Sequence, residues 1–346
     1  MGAGRTEVCR LICGADKRDS GEIFVEGKLT SVLTPADQTL RDGYGHSADR
    51  AVLLASLLKS AGVESRFVLV SALPDLPAFK PGRDLLFMPS MYDGVLVIAG
   101  GVALNDTDQY AALGSTAHNG KLALNLDNGA LEEVRGTGDV TRIQYDIELD
   151  GNGAAVISQR QSYTGMAFAA RNRLYSEMTP ELRKRHEQNM TVAIAESAVQ
   201  LAPLKVTLSE SECVEELRVK VERFAVTNGN YLQFGLPGNI AGSLIRPLPE
   251  GRTYPYFINL NSKTSLEYRI KTAAGLAVGA RMLPPDLEYR GIRVQSLEEA
   301  GGIRITVDAD FTPVILSPLD YLTLRAVQAQ LGHPAMNIVL LEKLGK

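Results

Sequence analysis

Apolar positions in this chain cluster first around residues 43–70. A glycine-bearing turn, Gly43-Tyr44-Gly45-His46, leads into Ser47-Ala48-Asp49-Arg50 and then a run of apolar residues closing at Gly62. Ala51, Leu54, Leu58 and Val52, Leu57, Ala61 together cover most of a helical circumference, which predicts a buried central helix. Gly62 is placed to end it, because a glycine tolerates the left-handed backbone of a helix C-terminus. Ser65 to Val70 then reads as a strand, as do Val95 to Ala99 and Leu122 to Leu126. Upstream, Glu22 to Val25 predicts a short strand, and Thr34-Pro35-Ala36-Asp37 predicts a helix start with proline in its first turn.

From Gly136 the pattern changes to alternation. Thr141 to Leu149 alternates polar and apolar positions, Asp150-Gly151-Asn152-Gly153 turns, and Ala155 to Tyr163 pairs back, which predicts a β-hairpin. The Asp-Gly-Asn-Gly turn lacks the later acidic ligands of a calcium loop. One helix interrupts the strands: Thr179-Pro180-Glu181 opens it, and the pattern carries it to about Leu201, before Pro203. Strands are expected at 204–208, 214–226, 231–235, 256–260, 265–271, 291–297 and 302–311. A helix is expected from Pro318 and a last strand over Asn337 to Leu341. The spacing of about ten residues suggests a β-sandwich. The fold class is therefore α+β, with a domain over 1–135 and a β-sandwich-rich domain over 136–346 that carries the helix near 179–201.

Composition narrows the partners. The chain has 346 residues, enough for two or three domains, with 45% hydrophobic residues and a net charge of −4. That balance gives no reason to expect nucleic acid or an anionic membrane as a partner. No apolar run reaches the length of a transmembrane helix. Residues 1–7 lack the order of a signal peptide, which leaves two expectations: a cytoplasmic protein, or a piece of a longer exported chain. Cys9, Cys13 and Cys213 form neither a disulfide framework nor a zinc-ligand pattern; half-buried thiols are expected at 9 and 13, and a structural cysteine at 213. No cofactor or metal is expected.

A nucleophile needs an exposed side chain, a base and an oxyanion pocket, and a helix N-terminus helps by presenting free backbone N–H groups. The turn and helix at 43–54 supply such a mount, with Ser47 in the leading position. Two further stretches complete a pattern: Met91-Tyr92-Asp93-Gly94-Val95-Leu96-Val97, and Ala103-Leu104-Asn105-Asp106-Thr107-Asp108-Gln109-Tyr110. Over roughly residues 30–130 the chain resembles the transglutaminase-like superfamily, with its papain-like core. The closer resemblance is to bacterial proteins that flank such a core with β-sandwich domains of unknown function. That resemblance puts Ser47 where the family has its cysteine, Gly94 where it has its histidine and Asn105 where it has its aspartate. Glycine can neither accept nor return a proton, so the resemblance implies a catalytically degenerate module that binds a peptide, a cell-envelope component or another protein. The resemblance also implies export to the periplasm or beyond. The competing expectation is an active hydrolase or acyl transferase using Ser47 with a base not evident in the sequence.

The remaining polar residues have simpler readings. Tyr44, His46, Tyr92 and Tyr110 flank the cleft that the resemblance implies and are candidate ligand-binding residues, although core packing accounts for the tyrosines equally well. His46 reads as a loop residue, and Asp49 as a cap or a salt-bridge partner near the helix start, for example of Arg50 or Arg66, with a former role in shaping the active-site loop as the alternative. His118 lies in a turn, with a fold-back toward Ser47 as the alternative. His186 sits on a solvated helix face, with an acidic partner as the alternative, and His333 reads as a C-cap.

Overall fold

The computed structural model describes residues 23–25, 28–30, 33–74, 76, 92–104, 108–238, 240–245, 248–249, 251–274, 276–299 and 301–344. The expectations for Cys9 and Cys13 lie outside these residues. The chain is mixed α+β and mostly sheet, 24% helical and 44% strand. It divides into two compact units, Met1–Gly138 and Asp139–Lys346.

In the first unit, β1 (Ile23–Val25) and β2 (Lys28–Thr30) form a small antiparallel pair, followed by α1 (Ala36–Asp42) and α2 (Ser47–Ser60). Then come β3 (Ser65–Pro74), β4 (Tyr92–Ala99), β5 (Val102–Leu104), β6 (Lys121–Asn125) and β7 (Leu131–Glu133), which pair antiparallel in the order β5-β4-β3-β6-β7. Both faces of this sheet are apolar. Val68, Val70, Leu96, Ile98, Ala103, Ala123 and Val134 pack on one face. Leu69, Leu124 and Leu126 pack on the other, with Phe67, Tyr92, Val95 and Leu131. Burial on both faces is why β4 reads as a continuous apolar run rather than an alternation.

Helix α2 ends as its glycine requires. Gly62 has φ +75°, its N–H reaches Lys59 O, and Val63 N–H closes back on Leu58 O at 2.9 Å, a Schellman pattern. Its burial differs from expectation. Ala48, Asp49 and Ala51 are buried, but Val52, Leu54 and Leu58 are only half-buried and Leu57 is 51% exposed. The side chains are apolar all round, while the sheet covers one side of the helix.

The second unit begins with β8 (Asp139–Leu149) and β9 (Ala155–Thr164), the expected hairpin. Asp150 caps its turn by accepting from Asn152 N (2.8 Å) and Ala154 N (2.9 Å). Gly153 follows at φ +92°, where an added Cβ would lie 2.3 Å from Ala225 O. Next come α3 (Gly165–Glu177) and α4 (Pro180–Ile194), then β10 (Val199–Leu208), β11 (Glu212–Val221), β12 (Val226–Asn228), β13 (Tyr231–Gly235) and α5 (Ile240–Leu244). The chain continues through β14 (Tyr256–Ile258), β15 (Ser262–Thr272), β16 (Val278–Met282), β17 (Leu287–Tyr289), β18 (Ile292–Glu299), β19 (Gly302–Phe311) and β20 (Val314–Leu316). It closes with α6 (Pro318–Leu331) and β21 (Ile338–Lys343).

Eight strands pair in the order β10-β11-β9-β8-β15-β19-β18-β17, antiparallel except for β8 with β15. A second sheet runs β12-β13-β21-β16. One core joins them: Tyr145, Ile147, Ile157, Leu217, Tyr268 and Ile305 from the large sheet, Leu232, Phe234, Val339 and Leu341 from the small one, and Tyr321, Leu324, Val327 and Leu331 from α6. Two local expectations change. The helix opened by Thr179 stops at Ile194 rather than near Leu201, and Ala195 is already extended (φ −160°, ψ 143°). Residues from Val199 instead pair with β11, so ladder hydrogen bonds outweigh local helix pattern there. Helix α3, which the alternating reading passed over, opens on Gly165 at φ +66°.

Candidate functional site

The N-terminus of α2 is built around its own caps. His46 is the N-cap, and its Nδ1 accepts from Ala48 N at 3.3 Å. A nitrogen that accepts carries no proton, so the neutral ring has its hydrogen on Nε2. The buried Asp49 carboxylate spends both oxygens on backbone: Oδ2 accepts from His46 N (3.0 Å) and Oδ1 from Thr34 N (2.8 Å). Asp49 is therefore a cap and tie, not a salt-bridge partner; Arg66 pairs with Glu132 at 2.9 Å, and Arg50 Nη1 donates to Gly45 O at 2.9 Å. Gly45 is required by close approach, since a Cβ would stand 2.9 Å from Thr39 Cγ2. Ser47 is the first residue of α2 and half-buried. Its Oγ makes no hydrogen bond with any described residue. Tyr44 is 77% exposed.

The other candidates disperse. Asn105 lies outside the described residues. Tyr92 packs against Leu69, Leu124 and Leu126, as a core residue would. Tyr110 is half-buried in a turn whose backbone is capped by Asp108 Oδ1 at 2.9 Å. Gly94 lies on β4 next to Val95, and successive strand residues point to opposite faces. Val95 lines a cavity beside α2, so a side chain at 94 would point to the face of Leu96 and Ile98, away from that cavity. A Cβ placed there would meet the His118 ring, Nε2 at 3.5 Å and Cε1 at 3.8 Å. A histidine thus does stand beside position 94, delivered by the turn at 115–120 rather than by the strand. His118 N–H donates to Thr116 Oγ1 at 3.1 Å, and His118 O accepts from Lys121 N at 3.0 Å, which fixes the turn.

The cavity beside α2 has a volume of about 690 Å³. Its wall is largely apolar, with Ala48, Val52 and Ala55 from α2 facing Phe67, Val95 and Leu126. Ser56, Lys59, Glu64 and Ser65 line its other end. Sequence reasoning missed this site. The signal was the stripe Val52, Ala55, Ser56, Lys59 at helical spacing, which ends in polar residues instead of continuing apolar.

A second cluster of titratable side chains lies in the other unit. Glu215 on β11 has a fully buried side chain, with Arg171 Nη1 at 3.7 Å. Tyr175 OH donates to Glu215 Oε1 at 2.6 Å, and Arg171 Nη2 donates to Tyr163 OH at 2.8 Å. The Arg171 guanidinium also stacks over the Tyr163 ring, 4.4 Å from its centroid. Because the Tyr175 proton goes to Glu215, the 3.2 Å contact with His186 Nε2 requires that nitrogen to donate. His186 is therefore a half-buried partner of Tyr175 rather than a solvated residue. Burial, then Glu215, pushes the Tyr163 and Tyr175 hydroxyls well above the ordinary phenol range. Burial and Glu215 also push the Cys213 thiol up to about 11. These groups bond to one another. His333 caps a following short helical turn through Nδ1 and Ala335 N (3.2 Å), while Gly332 ends α6. Among the described residues no three His, Cys, Asp or Glu side chains cluster with metal-binding geometry, and no helix is long and apolar enough to cross a membrane.

No family model matches the chain. A Burkholderia lata protein assigned as ribose/galactose/methyl galactoside import ATP-binding protein 1 is 57% identical over 51 residues, 14% of this chain and 10% of that protein. The ribose import ATP-binding protein RbsA of Bacillus licheniformis is 37% identical over 81 residues, 23% of this chain and 15% of that protein. The chain thus spans only about a tenth to a seventh of the length of the curated relatives it matches. Among solved structures, a Parabacteroides distasonis protein assigned as a protease covers 99% of this chain and 55% of its own, at 12% identity and a TM-score of 0.42. These likenesses are too short or too weak to assign an activity.

Proposed function

We propose that the first unit is a transglutaminase-like, papain-like module that has lost catalysis and acts by binding, joined to a β-sandwich-rich second unit. Its partner is a peptide, a cell-envelope component or another protein. The observation that carries this reading is the state of the α2 N-terminus. Ser47 Oγ has no histidine, carboxylate or amide partner among the described residues, and the one adjacent imidazole spends Nδ1 on capping the helix. A serine hydroxyl is a poor nucleophile without a base to take its proton. His118 does not repair this, because its ring lies on the sheet face turned away from α2. The apolar cavity running back from Ala48 gives the module a place to bind.

The test compares the wild-type chain with Ser47→Ala, using a fluorophosphonate probe and amine incorporation into casein. Equal labelling and no incorporation by either protein is the expected result. Ser47-dependent labelling or turnover sinks the reading in favour of a hydrolase or acyl transferase.

A further inference from the structure

Resting on that non-catalytic binding reading, we propose that the α2 cavity takes a short apolar peptide with charged ends. Its volume, about 690 Å³, falls in the range that encloses a small organic ligand. One end is hydrocarbon: Leu33, Ala48, Val52, Phe67, Val95 and Leu126 offer little to a polar group. The other end differs in kind. Ser56, Lys59, Glu64 and Ser65 line it together with Gly62 and Val63, and among the described residues none of the four polar side chains makes a hydrogen bond or an ion pair.

That set of unused groups discriminates between occupants. A fatty acid would satisfy Lys59 but bring its carboxylate near Glu64. A cationic amphiphile would do the reverse at Lys59. A short peptide carries both an ammonium and a carboxylate, together with amide groups that two serine hydroxyls can meet as donor or acceptor. Apolar side chains would fill the hydrocarbon end, where burial supplies most of the affinity, while the rim charges select the ligand class.

Binding is measured by calorimetry on the full chain with tri-leucine, its N-acetylated and C-amidated form, decanoate and decylamine. Lys59→Ala and Glu64→Ala are suitable variants because both residues are exposed and neither makes a hydrogen bond or an ion pair among the described residues. Tri-leucine should bind more tightly than either amphiphile. Each variant should weaken tri-leucine roughly fivefold and leave the blocked form unchanged. The proposal fails if decanoate or decylamine is preferred, if nothing binds, or if the variants weaken blocked and free peptide equally. Ser47-dependent turnover would instead overturn the parent reading and leave the ligand class standing, so the two failures are distinguishable.

Discussion

Removing the cation beside Glu215 should cost more than removing the charge on Glu215 itself. The carboxylate is fully enclosed on β11, whereas the Arg171 side chain on α3 retains 29% exposure. In Arg171→Met the buried carboxylate keeps its Tyr175 hydrogen bond but loses its counter-ion, and the guanidinium contact with Tyr163 goes as well. Breaking a buried pair from the cation side costs about 3–5 kcal/mol; the 3.7 Å separation and partial exposure here argue for the low end, about 3 kcal/mol. In Glu215→Gln the amide oxygen still accepts from Tyr175; the ion pair with Arg171 and the 3.4 Å contact from Tyr163 OH are lost, but no buried charge is left without a counter-ion, so the cost should be smaller, about 1–2 kcal/mol. The double variant should be less destabilised than the sum of the singles by about 1 kcal/mol or more, because the residues share one network. Urea unfolding followed by far-ultraviolet circular dichroism gives the totals. Hydrogen exchange at β9 and β11 assigns the loss to this unit, which matters in a chain of two units. A larger cost for Glu215→Gln than for Arg171→Met, or additive single effects, would refute the reasoning.

Other outcomes follow from single residues. Gly153→Ala puts a Cβ 2.3 Å from Ala225 O at φ +92°, so the second unit should lose at least about 2 kcal/mol in the same urea assay. Asp139 is held above the ordinary carboxylate range by burial, with the Met166 N–H bond opposing. Its proton is therefore bound more tightly in the folded state. Stability from this group is full below its unfolded value near 3.8 and is lost as pH rises through its folded value. Asp139→Asn should remove that component of the pH dependence, and an unchanged profile in urea titrations between pH 3 and 7 would count against it. The Cys213 thiol is fully buried and pushed up to about 11. Iodoacetamide at pH 8 should leave it unmodified in native protein and alkylate it in urea, as read by peptide mass mapping.

The stretch at 43–63 shows how far local pattern reaches. Gly45, the helix from Ser47 and the Gly62 stop were legible because each follows from short-range sterics and hydrogen bonding: a close approach to Thr39, an Asp49 cap, a left-handed C-terminus. The β8–β9 hairpin was legible for the same reason, since its turn is closed by the side chain of Asp150. What α2 buries was not legible, because an apolar circumference does not state which side the sheet will cover. The helix drawn to Leu201 failed where β10 found β11, a partner that begins at Glu212 and comes into play only once the sheet forms.

Site chemistry divides along the same line. Sequence alone determined that Ser47 leads a helix, that Gly94 carries no side chain and that the charge balance is mildly acidic. Tertiary structure decided that His118 stands beside Gly94, on the face away from the α2 cavity, and that His186 donates to Tyr175. It also decided that four polar side chains, without hydrogen-bond or ion-pair partners among the described residues, line an otherwise apolar cavity. The place of His118 depends on which strand face position 94 takes, and the His186 contact on how α3 and α4 pack together. The first is set by strand register and the second by helix packing, and neither is written in local spacing.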